Sequence, residues 1–336
     1  MNKIANKVVL VTGATGLIGS NLVERLLKEK AKVIIQGRNE EKIRSVFYQY
    51  LSDINFSYKV ANISEGIAEN IDYVDYIFHA ASPISGQEIR NVPVDVIEAN
   101  LAGIKSCLEY LRKQKSEKGV NGRLIVFSSV TVYGNNSGDD ITVDETDTCI
   151  AEALEADAAV YSESKRMIEV ISGAYFKQYD VDSVIVRIGY VYGFAESRPN
   201  TAFYEFINKA IRGEDIVLNN SGIARRDNIY VSDVVDALIL LAAKGKAGEV
   251  YNISSFGEKG NFKAIDEIAE IISSSVNAQT GKNVQVIRRQ SNDKRNPGVL
   301  VDNHKLKSLG WELKMDINEG VMQIVQRYLG MQNMDK

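Results

Sequence analysis

The sequence predicts an α/β protein: a doubly wound parallel sheet over residues 1–193 and a smaller α/β lobe over residues 194–336. Three observations carry that expectation. Short apolar runs alternate with helix-period patterns through the first half of the chain. The run Val8 to Gly19, VVLVTGATGLIG, ends in spaced glycines and opens into an amphipathic segment, and a second apolar run follows at βαβ distance. Beyond Gly193 the regular alternation gives way to shorter segments, with no low-complexity linker and no internal repeat to mark a sharp boundary.

In order, Val8 to Val11 reads as the first strand, and the stripe Leu17, Ile18, Leu22, Val23, Leu26 and Leu27 makes Leu17 to Lys30 the first helix. Strands are expected at Lys32 to Ile35, Phe56 to Val60, Tyr76 to His79, Leu124 to Ser128 and Ser183 to Ile188, with helices over Asp95 to Lys115 and Val160 to Tyr179. In the second lobe the pattern predicts a helix over Val231 to Lys244 that packs back on the sheet. It then predicts a strand at Val250 to Ile253, a helix over Phe262 to Val276, a strand at Val284 to Arg288 and a last helix over Ile317 to Leu329.

The glycines between the first strand and helix have separate physical tasks. Gly13 permits a turn that a side chain would block, Gly16 lets backbone approach a diphosphate, and Gly19 lets the helix sit close on the strand, with the anion at the helix N-terminus. That is a Rossmann-type dinucleotide cradle, and Gly13, Thr15, Gly16, Leu17, Ile18 and Gly19 are its candidate residues.

Composition excludes several other classes. With 336 residues, 45% of them hydrophobic and 25% charged, the chain can bury one large core or two modest ones. No apolar run approaches the length of a membrane span and Met1 to Lys7 has no signal-type apolar core, so a cytoplasmic protein with no membrane partner is expected. Cys107 and Cys149 lack metal-ligand spacing, and His79 and His304 stand apart from them, so no protein-held metal is expected. A net charge of -4 gives no footprint for nucleic acid.

A second signature is Tyr161 and Lys165 in VYSESKRMIEV. On a helix, i and i+4 share a face, so phenol and ammonium can enter one cleft, where the cation favours the phenolate and brings the phenol toward the range useful for proton transfer. A third is the strand Leu124 to Phe127 running out into Ser128, Ser129, Val130 and Thr131, which places hydroxyls at the carboxyl end of a parallel strand, where open α/β sheets put their ligands.

Glycine turn, serine strand end and Tyr-x-x-x-Lys, in this order, resemble the extended short-chain dehydrogenase/reductase family of nucleotide-sugar epimerases, dehydratases and reductases. TGATGLIG, FHAASP, FSSVTVYG, YSESK, VRIGYVYG and RRDNIYVSDVVDA look like its landmarks, over nearly the whole chain. The resemblance implies that Ser129 bonds the substrate hydroxyl, Tyr161 is the acid/base, and Lys165 holds the nicotinamide ribose. It implies cofactor-wall positions at His79, Ala80, Ala81 and Asn100, and makes Ser82 and Thr131 candidate substrate contacts. Arg226 resembles the arginine that grips the sugar nucleotide's diphosphate, a task suited to its fixed fork of donors, with Arg288, Arg289 and Arg295 behind it. Tyr190 stands where many relatives carry Asn, which puts one phosphate contact in doubt. A homodimer through the helices near Asp95 to Lys115 and Val160 to Tyr179 is also implied.

Where many NAD-using relatives close the second strand with an acid, this chain has Gly37, followed by Arg38 and Asn39, an arrangement suited to a 2′-phosphate and hence to NADP, with NAD as the alternative. Asn62, with Ile63, is expected to face the adenine in either case. Dehydratases of the family have Asp-Glu just after the strand-end hydroxyl, and the decarboxylases a glutamate just before Val-Tyr-Gly. Here Val130 and Thr131 occupy those places, and neither can titrate usefully. The expected substrate is therefore a nucleotide-diphosphate sugar and the expected reaction 4-keto-sugar reduction, with 4-epimerisation as the alternative. A small-carbonyl reductase lacks a reason for Arg226, and a non-catalytic dinucleotide sensor lacks one for the complete Ser-Tyr-Lys set.

Overall fold

The computed structural model describes residues 4–83, 86–134, 140–219, 221–289 and 298–334. Seven parallel strands form the central sheet: β1 (Val8–Thr12), β2 (Lys32–Gly37), β3 (Phe56–Val60), β4 (Tyr76–His79), β5 (Arg123–Ser129), β6 (Ser183–Ile188) and β7 (Val250–Ile253). Their order is β7-β6-β5-β4-β1-β2-β3. The chain builds outward from β1 to β3, then crosses to the other side of β1 for β4, so β1 and β4 lie side by side with their carboxyl ends at the switch point.

Alternate residues of each strand feed two cores. Val9 and Val11 pack on one face with Leu22 and Leu26 of α1 (Leu17–Lys28) and Val234, Leu238 and Leu241 of α4 (Val231–Lys244). Leu10, Ile77 and Val126 pack on the other with Ile104, Leu108 and Leu111 of α2 (Pro93–Lys118) and Ile168 of α3 (Asp157–Tyr179). Both longer helices begin earlier than their periodicity suggests. Pro93 opens α2 at a position where its missing N–H costs nothing, and Gly119, in the left-handed region, ends it.

Two segments differ from expectation. Val250–Ile253, read as part of the second lobe, is the edge strand of the central sheet, pairing from Val250 with Ile185 to Ile253 with Ile188. Its partner strand precedes it by some sixty positions in the chain, a relation no local pattern encodes. The predicted helix from Phe262 starts instead at Ile265, because Phe262–Ala264 pairs antiparallel with Arg225–Asp227. There the Glu267 carboxylate accepts the Ala264 N–H at 2.8 Å and opens the helix.

A third core gathers around Ile207, Ile211, Ile272, Val276, Ile324 and Tyr328. A three-stranded sheet has the order Phe262–Ala264, Arg225–Tyr230, Tyr190–Tyr192. Among the described residues no helix is long and apolar enough to cross a membrane.

Candidate active site

The glycine turn has the geometry its spacing implies. Gly13 has φ +67°, and a Cβ there would stand 2.5 Å from the Ala80 carbonyl carbon and the Ala81 nitrogen, so the turn lies directly on the end of β4. A Cβ at Gly19 would come within 2.3 Å of the Gly13 carbonyl oxygen, which seats α1 on the turn. Gly16 caps α1 with extended backbone, no side chain caps the helix, and no acid stands in its first turn. Its first N–H groups therefore face outward with a positive dipole end, a fit for a diphosphate. Thr15 lies half-buried in the turn, Leu17 and Ile18 anchor the helix to the second-lobe and sheet cores, and Ala80 N–H donates to the Thr12 carbonyl at 3.1 Å.

At the end of β2, Arg38 is exposed and no carboxylate pairs with it among the described residues. Asn39 caps the helix Glu40–Val46, its oxygen accepting the Lys42 N–H at 2.8 Å. Asn62 caps the short turn Ile63–Glu65 by accepting the Ser64 N–H at 3.2 Å, and Ile63 packs against the core beside α2. Gln36 escaped the sequence reading: buried, it donates to the Gly66 carbonyl at 2.8 Å and accepts from Ala68 N–H at 3.0 Å, tying β2 to that turn.

The end of β4 is held by a buried pair, Thr12 Oγ1 and His79 Nδ1, 2.8 Å apart. The His79 ring fills the space a side chain at Gly103 of α2 would take, its Cε1 lying 2.9 Å from that Cβ position. Burial, helped by the charge of Lys165, lowers His79 to about 3, so it is neutral near pH 7. An unfolded imidazole titrates near 6.5, so between about pH 6.5 and 3 the unfolded chain binds a proton that the folded one refuses, and stability falls as pH drops through that window. His79→Asn, which keeps a partner for Thr12, is expected to flatten this part of the curve. Melting temperatures recorded from about pH 7 to 4 test it, and an unchanged slope would count against the assignment.

A chain of polar contacts crosses from the β4 loop to α3. Ser82 Oγ donates to Asn100 Oδ1 at 2.7 Å, Asn100 Nδ2 to Ser164 Oγ at 2.9 Å, and Ser164 Oγ to the Tyr161 carbonyl at 2.9 Å. Asn100 thereby fixes α2 against α3, and Ser82, expected at the substrate, is engaged with Asn100. Ser164, three residues after Tyr161, was detectable only from the helix period.

Tyr161 and Lys165 share one face of α3, opposite the end of β5. The Tyr161 phenol faces Ser129, and burial pushes it up to about 12, with nearby Tyr190 adding to the rise and Ser129 offsetting part of it. Thr131 donates to Ser129 Oγ from both its N–H, at 3.2 Å, and its hydroxyl, at 3.1 Å. Lys165 Nζ donates to the Phe127 carbonyl at 2.8 Å and lies 5.5 Å from the Tyr161 ring centroid. Burial lowers it to about 7. Burial thus raises the phenol that Lys165 was expected to lower.

In the second lobe, Arg226 lies with its guanidinium carbon 4.7 Å from the Tyr190 ring centroid, donates to the Arg225 carbonyl at 3.1 Å, and has no carboxylate partner among the described residues. The two acids that could have neutralised it are engaged elsewhere. Asp227 accepts from Ser255 and from the Phe256 and Val301 N–H groups, and Asp233 from the Lys314 and Met315 N–H groups. Tyr190, 41% exposed, stacks under Arg226 and is close enough to Tyr161 to add to the rise of its phenol. Arg288 is paired with Asp266 at 3.3 Å and Glu270 at 2.9 Å, which removes it from the candidates. Arg289 is exposed, its N–H donating to the Leu218 carbonyl at 3.4 Å, and Arg295 lies outside the described residues.

Comparison with known proteins bears on this arrangement. The profile of the NAD dependent epimerase/dehydratase family matches residues 9–254. The chain is 28% identical to UDP-glucuronic acid decarboxylase 6 of Arabidopsis thaliana, covering 94% of this chain and 87% of the relative. It is 26% identical to dTDP-glucose 4,6-dehydratase of Escherichia coli, covering 97% and 93%. Among solved structures, UDP-glucose 4-epimerase of Thermotoga maritima with UDP-glucose superposes with a TM-score of 0.78 at 22% identity, covering 97% of this chain and 99% of that one. These relatives catalyse three different reactions on one scaffold, so the match fixes the kind of enzyme and leaves the reaction to the residues around Tyr161. The chain belongs to the NAD dependent epimerase/dehydratase family, within the extended short-chain dehydrogenases/reductases.

Proposed function

We propose that the protein transfers hydride at a sugar carbon of a nucleotide-diphosphate sugar without eliminating water or carbon dioxide, and that its reaction is reduction of a 4-keto sugar by NADPH. The observation that carries this reading is the Ser129–Tyr161 pair with nothing titratable following it: Val130 is buried and the Thr131 hydroxyl is engaged by Ser129. Elimination needs a further acid and base, and this strand end supplies neither.

In this reading Tyr161 gives its proton to the carbonyl oxygen as that oxygen becomes a hydroxyl, and Ser129 holds the same oxygen. Lys165 leaves the Phe127 carbonyl to hold the nicotinamide ribose, and Arg226, backed by the Tyr190 ring, grips the diphosphate. The turn at Gly13 and the α1 N-terminus hold the cofactor diphosphate, and NADP(H), when bound, supplies the hydride.

The preference for NADP rests on Arg38, exposed beside Gly37 and without an acid at the end of β2. Gly37→Asp/Arg38→Asn is expected to reverse it. A Cβ at Gly37 would stand 3.2 Å from the Ile43 Cδ1 methyl, which can shift to make room. Dissociation constants for both reduced cofactors decide: a wild type that already prefers NADH removes the main support for reduction.

Epimerisation with retained NAD is the second reading, supported by the family match itself. Incubation with UDP-, dTDP-, GDP- and CDP-sugars and their 4-keto forms, followed by NMR, separates the two. Net oxidation of NADPH supports reduction and interconversion without net oxidation supports epimerisation. If no nucleotide sugar is turned over, both readings fail.

We further propose that the protein is a homodimer through α2 and α3, whose outer faces leave Val94, Ile97, Met167 and Val170 exposed. Sedimentation of wild type and Met167→Glu/Val170→Glu tests this, with a dimer and a monomer expected. A monomeric wild type sinks the proposal.

A further inference from the structure

Under the catalytic residues lies a polar cluster that the proton chemistry does not use. Glu169 and Arg187 are 8% and 6% exposed, and they form a bidentate ion pair: Arg187 Nε donates to Glu169 Oε1 at 3.0 Å and Nη2 to Oε2 at 2.9 Å. Ser128 donates to the same Oε1 at 2.5 Å. The Arg187 guanidinium carbon lies 4.7 Å from the Tyr133 ring centroid, and the Tyr133 hydroxyl donates to Asn252 Oδ1 of β7 at 2.8 Å. One cluster therefore joins α3, β5, the turn Val130–Tyr133, β6 and β7.

Tyr161, Lys165 and Glu169 stand four residues apart on one helix face, and each meets one of three consecutive residues at the end of β5. Lys165 bonds the Phe127 carbonyl, Glu169 bonds Ser128, and Tyr161 faces Ser129. Two of these ties involve groups with chemistry to perform, so neither can stay fixed through a reaction. The third involves none. Ser128 is also directly paired with Arg187 across the β5–β6 ladder, so strand register brings both partners of Glu169 to the same place.

We propose that Glu169 and Arg187 are positioning residues: their ion pair ties α3 to β6 at the ladder partner of Ser128, and thereby sets the separation of Tyr161 from Ser129 during turnover. This rests on the reading of Tyr161 and Ser129 as the reacting pair. The cluster also fixes the turn after Ser129 through Tyr133, so its loss loosens the site from both sides. Burial opposes the Arg187 charge, and the Glu169 carboxylate, with Tyr133 beside it, more than offsets that, so the guanidinium is held above its ordinary range.

The test is Glu169→Gln/Arg187→Met. It leaves no unpaired buried charge, preserves an acceptor for Ser128, and is of a kind that folded proteins commonly tolerate. The expected result is a folded variant whose cofactor affinity and KM stay within about threefold of wild type, while kcat falls about ten- to a hundredfold, the scale of a misplaced reacting group. A merely structural pair would lower melting temperature and leave kcat per folded molecule alone. A substrate-independent readout is amide hydrogen exchange, expected to quicken about tenfold in residues 128–134 and 157–166 and to hold steady in β1 and β4. Should the double variant not fold, Arg187→Lys, which keeps a cation beside Glu169 and loses the two-point fork, carries both measurements. A folded variant with kcat within about twofold of wild type overturns the proposal, as does unchanged exchange in those two segments. If the wild type turns over no nucleotide sugar, the substrate reading fails and the exchange comparison alone decides on the clamp.

Discussion

Tyr161→Phe is expected to lower turnover by about 100- to 10,000-fold, the usual contribution of a general acid/base, while cofactor affinity stays nearly unchanged. The substitution removes one oxygen and leaves the ring that α3 places against the end of β5. The structure adds a reason for the size of the effect. The phenol is held protonated well above neutral pH, pushed up to about 12 by burial, so it arrives at a carbonyl oxygen with its proton in place. No other titratable group on the strand end can stand in, since Val130 and Thr131 follow Ser129. Single-turnover kinetics isolates the chemical step, and a variant that keeps more than about a tenth of the wild-type rate would falsify the assignment.

Arg226→Ala is expected to weaken binding of nucleoside diphosphates about ten- to a hundredfold, which corresponds to the roughly 1.5 to 3 kcal/mol of a charge-assisted hydrogen bond. Cofactor affinity should not change, because Arg226 lies on the strand Arg225–Tyr230, whereas the proposed cofactor cradle is built from the turn between β1 and α1. Stability should change little as well: its partners are a carbonyl and the Tyr190 ring, and no carboxylate is orphaned by its removal. Calorimetry with UDP, dTDP, GDP and CDP checks the prediction. If none binds the wild type, or if the best ligand binds the alanine variant equally well, the diphosphate role fails and a small-carbonyl substrate becomes the better reading.

Much of the site was legible in the chain because its parts are local. The turn from Thr12 to Gly19 is specified by glycines whose missing side chains are themselves the information, and the distances from Gly13 to Ala80 and from Gly19 to the Gly13 carbonyl show what a side chain would strike. Tyr161 and Lys165 are one helical turn apart, so helix geometry alone places them on one face. Other features were illegible for an equally physical reason. Arg226 sits beside two acids in sequence or on the next helix, and only the fold, by committing Asp227 and Asp233 to backbone N–H groups, leaves its charge available. Arg288 reads like its neighbour Arg289, yet tertiary contacts give it two carboxylates.

The sequence by itself determined the parallel sheet, the tight glycine turn after β1 and the placing of Tyr161 and Lys165 on one helix face, because hydrophobic period, glycine placement and i, i+4 spacing act over a few residues. Only the tertiary structure decided that Val250–Ile253 completes the central sheet, that Glu169 meets Arg187 under Ser128, and that Lys165 is turned to the Phe127 carbonyl. Those outcomes depend on which distant segments share a face or an edge. Burial then shifts His79, Tyr161 and Lys165, and burial belongs to the folded whole.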